Sequence, residues 1–271
     1  MRWVLAVALL AACHTSAGTG DDDDTTTDAR GMGSGSGSNG GLVNVFDPGI
    51  TRVIVEIDYE TNQQPYTGNI IGFGDTFAPT MTNVDRLFAH KKTLTIPQAL
   101  ANMEDIGTIP DEELTVADLA AIAQAHRQQY DVDGARTYYI VFVSGHYADG
   151  NGVNAGVLGV SFGDTIAMFK DVIRTTASLT SPNSERYVEQ STLIHELAHS
   201  IGLVDNGVPM VAGHKDATHG AHCNNDQCVM YWLNEGAADA TSFAVNRLIT
   251  GSTILFDAAC LSDVDAKSGG L

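Results

Sequence analysis

The sequence predicts an α+β fold, and three observations carry that reading. Short apolar and β-branched runs recur through the first two thirds of the chain. Two longer stretches carry their apolar residues at helical spacing, and the part beyond Leu203 reads as loop-rich. A mixed sheet with a helical layer, followed by a C-terminal subdomain built from loops, is the expected architecture.

Taken in order, Arg52 to Tyr59 (RVIVEIDY) alternates and is rich in β-branched residues, as a strand requires. Asn83 to His90 reads as a short helix, and Lys92 to Ile96 as a short strand stopped by Pro97. Leu114, Leu119, Ile122, Ala123 and His126 recur at helical spacing within Leu114 to Tyr130, with Thr115 placed to cap. Thr137 to Val143 (TYYIVFV) has the length and composition of a buried strand. Ala155 to Phe162 is a second strand, and Thr165 to Phe169 continues it as an edge strand. Glu185 to Leu203 then forms a helix, preceded by Pro182-Asn183-Ser184.

The N-terminal segment is of another kind. Arg2 precedes an apolar run from Trp3 to Leu10, too short for a bilayer span of about 20 residues but suited to a signal-peptide core. The following Leu10-Ala11-Ala12-Cys13 resembles a bacterial lipobox, which implies residues 1–12 as a signal peptide and lipidation of Cys13. Residues 13–41 contain the acidic run Asp21 to Asp24 and an almost pure Gly/Ser/Asn stretch; such a segment buries too little to offset its chain entropy. It reads as a spacer, leaving 42–271 as the folded domain. The expected location is the cell envelope, with a lipid anchor as the sole membrane contact. Were Cys13 not lipidated, the protein would be secreted.

Lys and Arg total 14 against 33 Asp and Glu, a formal charge of −19. No basic patch could neutralise phosphates, so nucleic acid is excluded as a partner. No phosphate-cradling glycine loop is present either.

The chemistry sits in Ile194 to Ile201, IHELAHSI. His195 and His199 stand four apart, so on a helix they share one face, and two imidazoles so placed can reach one Zn²⁺. Glu196 is offset by one residue, which puts its carboxylate beside the metal, where it can take a proton from a metal-activated water. Leu193, Ile194, Leu197, Ala198 and Ile201 surround these groups with apolar side chains.

The pattern extends as His195-Glu196-x-x-His199-x-x-Gly202-x-x-Asp205 and resembles the metzincin metallopeptidases. The resemblance implies a metzincin-like fold, one catalytic zinc ion, a sharp turn at Gly202 and a methionine turn beneath the metal, matched by Met230 in Cys228-Val229-Met230-Tyr231. It also implies that an edge strand pairs with extended substrate, with Ile166 to Phe169 in that place. The third ligand departs from the usual pattern. Asp205 stands where most metzincins have histidine, as in a subset resembling snapalysin. His222-Cys223-x4-Cys228-x-Met230 resembles the archaemetzincins, where a ligand histidine directly precedes such a cysteine. His222 is favoured, since imidazole suits zinc; Asp205, His214 and His219 are the rivals. Asn234-Glu235-Gly236-Ala237-Ala238-Asp239 resembles the Asn-Glu-x-x-x-Asp stretch of thermolysin-like gluzincins, which would make Glu235 the third ligand instead.

Apart from Cys13 the cysteines are Cys223, Cys228 and Cys260. In an oxidising compartment a Cys223–Cys228 disulfide is expected. Archaemetzincins carry a second, four-cysteine zinc site; this chain lacks the downstream Cys-x-x-Cys, so a second structural zinc is not expected.

The function expected is hydrolysis of protein or peptide substrates, with zinc on His195, His199 and His222 and with Glu196 as general base. The competing reading is a non-catalytic zinc-binding surface lipoprotein, in which the helix holds metal for structure alone.

Overall fold

Nearly every residue of Ala135–Val143 is buried, which requires cover on both faces of the sheet it belongs to. The computed structural model describes residues 44–71, 74–88, 92–177, 183–250 and 254–269. The signal peptide, Cys13 and the spacer up to residue 41 lie outside them. Around that strand forms a six-stranded mixed sheet. Its members are β1 (Arg52–Tyr59), β2 (Thr93–Thr95), β3 (Glu104–Asp105), β4 (Ala135–Val143), β5 (Gly159–Phe162) and β6 (Thr165–Phe169). The order is β5-β6-β4-β1-β2, with β3 also paired to β1. All pairings are parallel except β5 with β6. The β1–β4 register runs from Arg52 opposite Ala135 to Tyr59 opposite Phe142.

One expectation is corrected here. Thr165–Phe169 is not the edge strand; it lies between β4 and β5, and all five of its residues are buried. A continuous apolar run of this kind suits an interior strand, covered on both faces. The edge is β5, shorter than the expected Ala155 to Phe162 and half-exposed at Ser161 and Phe162.

The helices are α1 (Ala78–Phe88), α2 (Val116–His126), α3 (Lys170–Thr175), α4 (Ser184–Ile201), α5 (Ala237–Thr250) and α6 (Ala258–Lys267). Thr115 caps α2 as expected: its hydroxyl accepts from the Asp118 N–H, and the Asp118 carboxylate accepts from the Thr115 N–H at 2.9 Å. α1 begins five residues earlier than its apolar pattern suggests, with Pro79 in the first turn, where its missing N–H costs nothing. α4 is buried along almost its whole length, against β5, β6, α1 and α5. Thr80 on α1 donates to Gln190 Oε1 at 2.6 Å and fixes the α1–α4 contact.

The C-terminal part is more ordered than a loop-rich subdomain: α5 and α6 were not expected. Asp257 caps α6 by accepting from the Cys260 N–H at 2.9 Å. No helix among the described residues is long and apolar enough to cross a membrane.

Candidate active site

Helical spacing puts His195 and His199 on one side of α4, and their Nε2 atoms lie 3.0 Å apart. The helix then stops at Gly202 (φ 93°), whose N–H bonds back to Ala198 and His199, while the Leu203 N–H also reaches Ala198 O. This is a left-handed helix cap. Glycine is required there, since a Cβ would stand 2.8 Å from the Asn206 carbonyl oxygen. The reversal lets residues 206–221 loop out and return, bringing His222 Nε2 to 3.2 Å from His199 Nε2.

Two backbone carbonyls set the imidazole tautomers. His195 Nδ1 donates to Val229 O at 2.6 Å, and His222 Nδ1 donates to His219 O at 2.5 Å. Both rings therefore turn a bare Nε2 lone pair inward. Val229 is itself held: Asn234 Nδ2 donates to its carbonyl at 3.1 Å, and its own N–H reaches Leu255 O. Met230, next in the chain, is fully buried, and its carbonyl accepts from the Cys223 N–H at 2.7 Å. Thus the turn holding Met230 orients His195, and the same turn is tied to the residue after His222.

A fourth acceptor completes the group. Glu235 Oε1 is 2.9 Å from His222 Nε2, 3.6 Å from His195 Nε2 and 3.7 Å from His199 Nε2. Burial works against its charge, but the three imidazoles outweigh this and hold the Glu235 carboxyl well below the usual range. Burial also pushes His199 down to about 4, with Glu235 pulling the other way and the two neighbouring imidazoles adding to the fall. His199 Nδ1 is buried without a hydrogen-bond partner. His195, His199, His222 and Glu235 thus each offer one ligand atom to a common centre, all within 4.8 Å of one another. Tetrahedral zinc ligands at about 2.0–2.1 Å stand about 3.3 Å apart, close to the spacing seen here. The donor set fits zinc.

Glu196 lies beside this group and outside it. It is buried, and its Cγ would be 3.0 Å from a Cβ on Gly159, so β5 passes directly over it. Burial raises its carboxyl to about 7; His195 and a hydrogen bond with Ser161 oppose the rise and Glu235 adds to it.

Of the rivals for third ligand, Asp205 points away: its side chain is 57% exposed and 3.8 Å from Lys215 Nζ. His219 stacks on Trp232 at 3.8 Å and serves through its carbonyl. His214 is drawn into a different cluster. His222 and Glu235, read from the sequence as alternatives, come to the same centre. The expected Cys223–Cys228 disulfide is absent: both thiols are free and buried, as is Cys260.

The chain matches no protein-family model, and no curated protein matches it. Among solved structures it is similar to a zinc-dependent peptidase from Methanocorpusculum labreanum (strain Z), at 10% sequence identity and a TM-score of 0.42; the match covers 78% of this chain and 99% of that one.

Proposed function

We propose that this chain is a zinc-dependent peptidase, with His195, His199 and His222 as metal ligands and Glu196 as the general base. The observation that supports it best is the convergence of three imidazole Nε2 atoms beside a buried carboxylate that stays outside the group. Bound there, zinc would supply Lewis acidity, polarising a scissile carbonyl and making a water acidic enough to attack it. Glu196 is the residue that moves protons. Its buried carboxylate, beside the ligands but not among them, can take a proton from the attacking water and return it to the departing amine.

The free edge of β5 gives the substrate a place. Among the described residues it pairs with β6 on one side only, so its other edge can receive an extended peptide by backbone hydrogen bonding. Gly159 keeps this edge close to Glu196, which would bring a peptide carbonyl near the site.

One observation favours a second reading. Glu235 fills the position that an open catalytic site leaves free, and a four-donor cage is the mark of a structural zinc. The peptidase reading requires Glu235 to yield that position to water or substrate.

The test uses full-length protein, a quenched protein substrate and metal analysis. Glu196→Gln should lower hydrolysis by about 10²-fold or more while zinc content stays unchanged. Glu235→Ala should keep or raise activity. Hydrolysis surviving in Glu196→Gln, or no chelator-sensitive hydrolysis in wild type or Glu235→Ala, would leave the cage reading in its place.

A further inference from the structure

The function proposed above uses none of the three cysteines among the described residues, yet all three are buried near a histidine. Cys223 Sγ lies 3.4 Å from His214 Nδ1; Cys260 Sγ lies 3.9 Å from the same nitrogen and 3.6 Å from Cys228 Sγ. The Cys223 thiol is also within hydrogen-bonding reach of the Cys228 and Cys260 thiols. His214, Cys223, Cys260 and Asp257 each offer a donor within 4.8 Å of the others, and Cys228 adjoins the group through Cys260. Tetrahedral ligands about 2.3 Å from a zinc ion would stand about 3.7 Å apart, in the range of these separations.

The surroundings are those of a metal site rather than of a disulfide. His214 Nε2 donates to Asp263 Oδ2 at 2.7 Å, which fixes the ring and leaves the Nδ1 lone pair facing the sulfurs. Asp263 is fully buried, and its other oxygen accepts from the Val211 N–H at 2.6 Å. The Asp257 N–H points at Cys228 Sγ at 3.4 Å, as a donor to a thiolate would. The Asp257 side chain is otherwise engaged: Oδ1 caps α6, and Oδ2 accepts from Asn225 at 2.9 Å and meets Cys223 Sγ at 3.4 Å. A bonded sulfur pair would need to close to about 2.05 Å, and it would strand the third thiol and the oriented imidazole.

We propose that His214, Cys223, Cys228 and Cys260 form a second zinc site, closed and structural, which clamps the loop carrying His222 to α6. Its ligands come from three separate pieces of chain: the 206–221 loop, the turn around Met230, and α6. The histidine ligand, His214, comes from the loop that precedes His222. On binding, the cysteines that are still thiols lose their protons to solvent, and no oxidant is involved.

The test is zinc content and zinc-edge X-ray absorption on the full chain, purified in zinc without chelator. Wild type should hold two zinc ions, and His195→Ala/His199→Ala should keep one. That remaining ion should show three sulfur neighbours at about 2.3 Å and one nitrogen at about 2.0–2.1 Å. Should the double variant fail to fold, the wild-type spectrum decides, since the other centre contains no sulfur. Zinc without sulfur neighbours, or a Cys228–Cys260 disulfide seen by mass spectrometry of the unreduced chain, would overturn the proposal. A shell of two sulfurs, one nitrogen and one oxygen would seat Asp257 in place of Cys228 and overturn the ligand set. A wild type with one sulfur-bound ion alone would support this site and tell instead against the peptidase.

Discussion

Three of the four residues from Gly202 to Asp205 have left-handed backbones: Gly202 at φ 93°, Val204 at 53° and Asp205 at 60°. For a β-branched valine this is a strained conformation, costing about 1–3 kcal/mol. The strain sits directly after the helix that carries His195, Glu196 and His199, where the chain must reverse. Gly202→Ala should destabilise the fold by about 1–3 kcal/mol or more, because it adds backbone strain and drives a Cβ against the Asn206 carbonyl. An unchanged melting temperature in that variant would mean that the turn relaxes freely. Asp58 gives a separate residue-level test. Burial raises its carboxyl from 3.8 to about 6, with Glu56 and Glu104 adding to the rise and Tyr139 opposing it. The folded state therefore binds a proton that the unfolded state lacks between those values, so stability falls as pH rises through about 4–6 and stays lower above. Asp58→Asn should stabilise the protein by about 1–3 kcal/mol at pH 7, with the gain fading below pH 4 in urea titrations; a gain independent of pH would exclude this cause.

Between elements, the Lys170–Glu189 pair joins the start of α3 to the middle of α4 and is almost wholly buried. Glu189 also accepts from the Tyr66 N–H at 2.7 Å, and the Lys170 ammonium lies 3.6 Å from the Tyr66 ring centroid. Burial lowers Lys170 and raises Glu189, each only partly offset by the other's charge. Lys170→Met should cost about 3–5 kcal/mol because it strands a buried carboxylate, whereas Lys170→Met with Glu189→Gln should recover most of that loss. Equal losses in single and double variants would show that packing, not charge, is at stake. The same scale explains what the sequence could reveal. β1, β4 and α4 were legible because alternation, continuous burial and a four-residue histidine spacing are local signals. The place of β6 was not, since strand order depends on pairing with β4 across more than twenty intervening residues. α5 was hidden by Gly236 at its threshold and by Thr and Val within it, and its helix is held by packing on α4. His195, Glu196 and His199 on α4 could be read directly, and His222 could be placed beside them by resemblance. The joint presence of His222 and Glu235 could not, because it depends on how the 206–221 loop closes in space.

For the molecule as a whole, a formal charge of −19 accompanies a candidate site built of imidazoles and carboxylates. Such a field draws cationic substrates inward and repels anionic ones, and added salt screens both effects. For a basic peptide kcat/KM should fall between about 0.01 and 0.15 M salt, and for an acidic peptide of equal length it should rise. Identical salt responses would mean that the field around β5 is not set by the net charge. The linkage between His222 and α6 reaches further, into the order of events during synthesis. His222 and Cys223 are adjacent, Val229 is pinned by Leu255, and His214 is pinned by Asp263. Until the chain through residue 263 is available, the ties of Val229 to Leu255 and of His214 to Asp263 are missing, and the third imidazole keeps its local bond to the His219 carbonyl. A nascent chain therefore carries the proposed metal site unassembled until its last helix has been made.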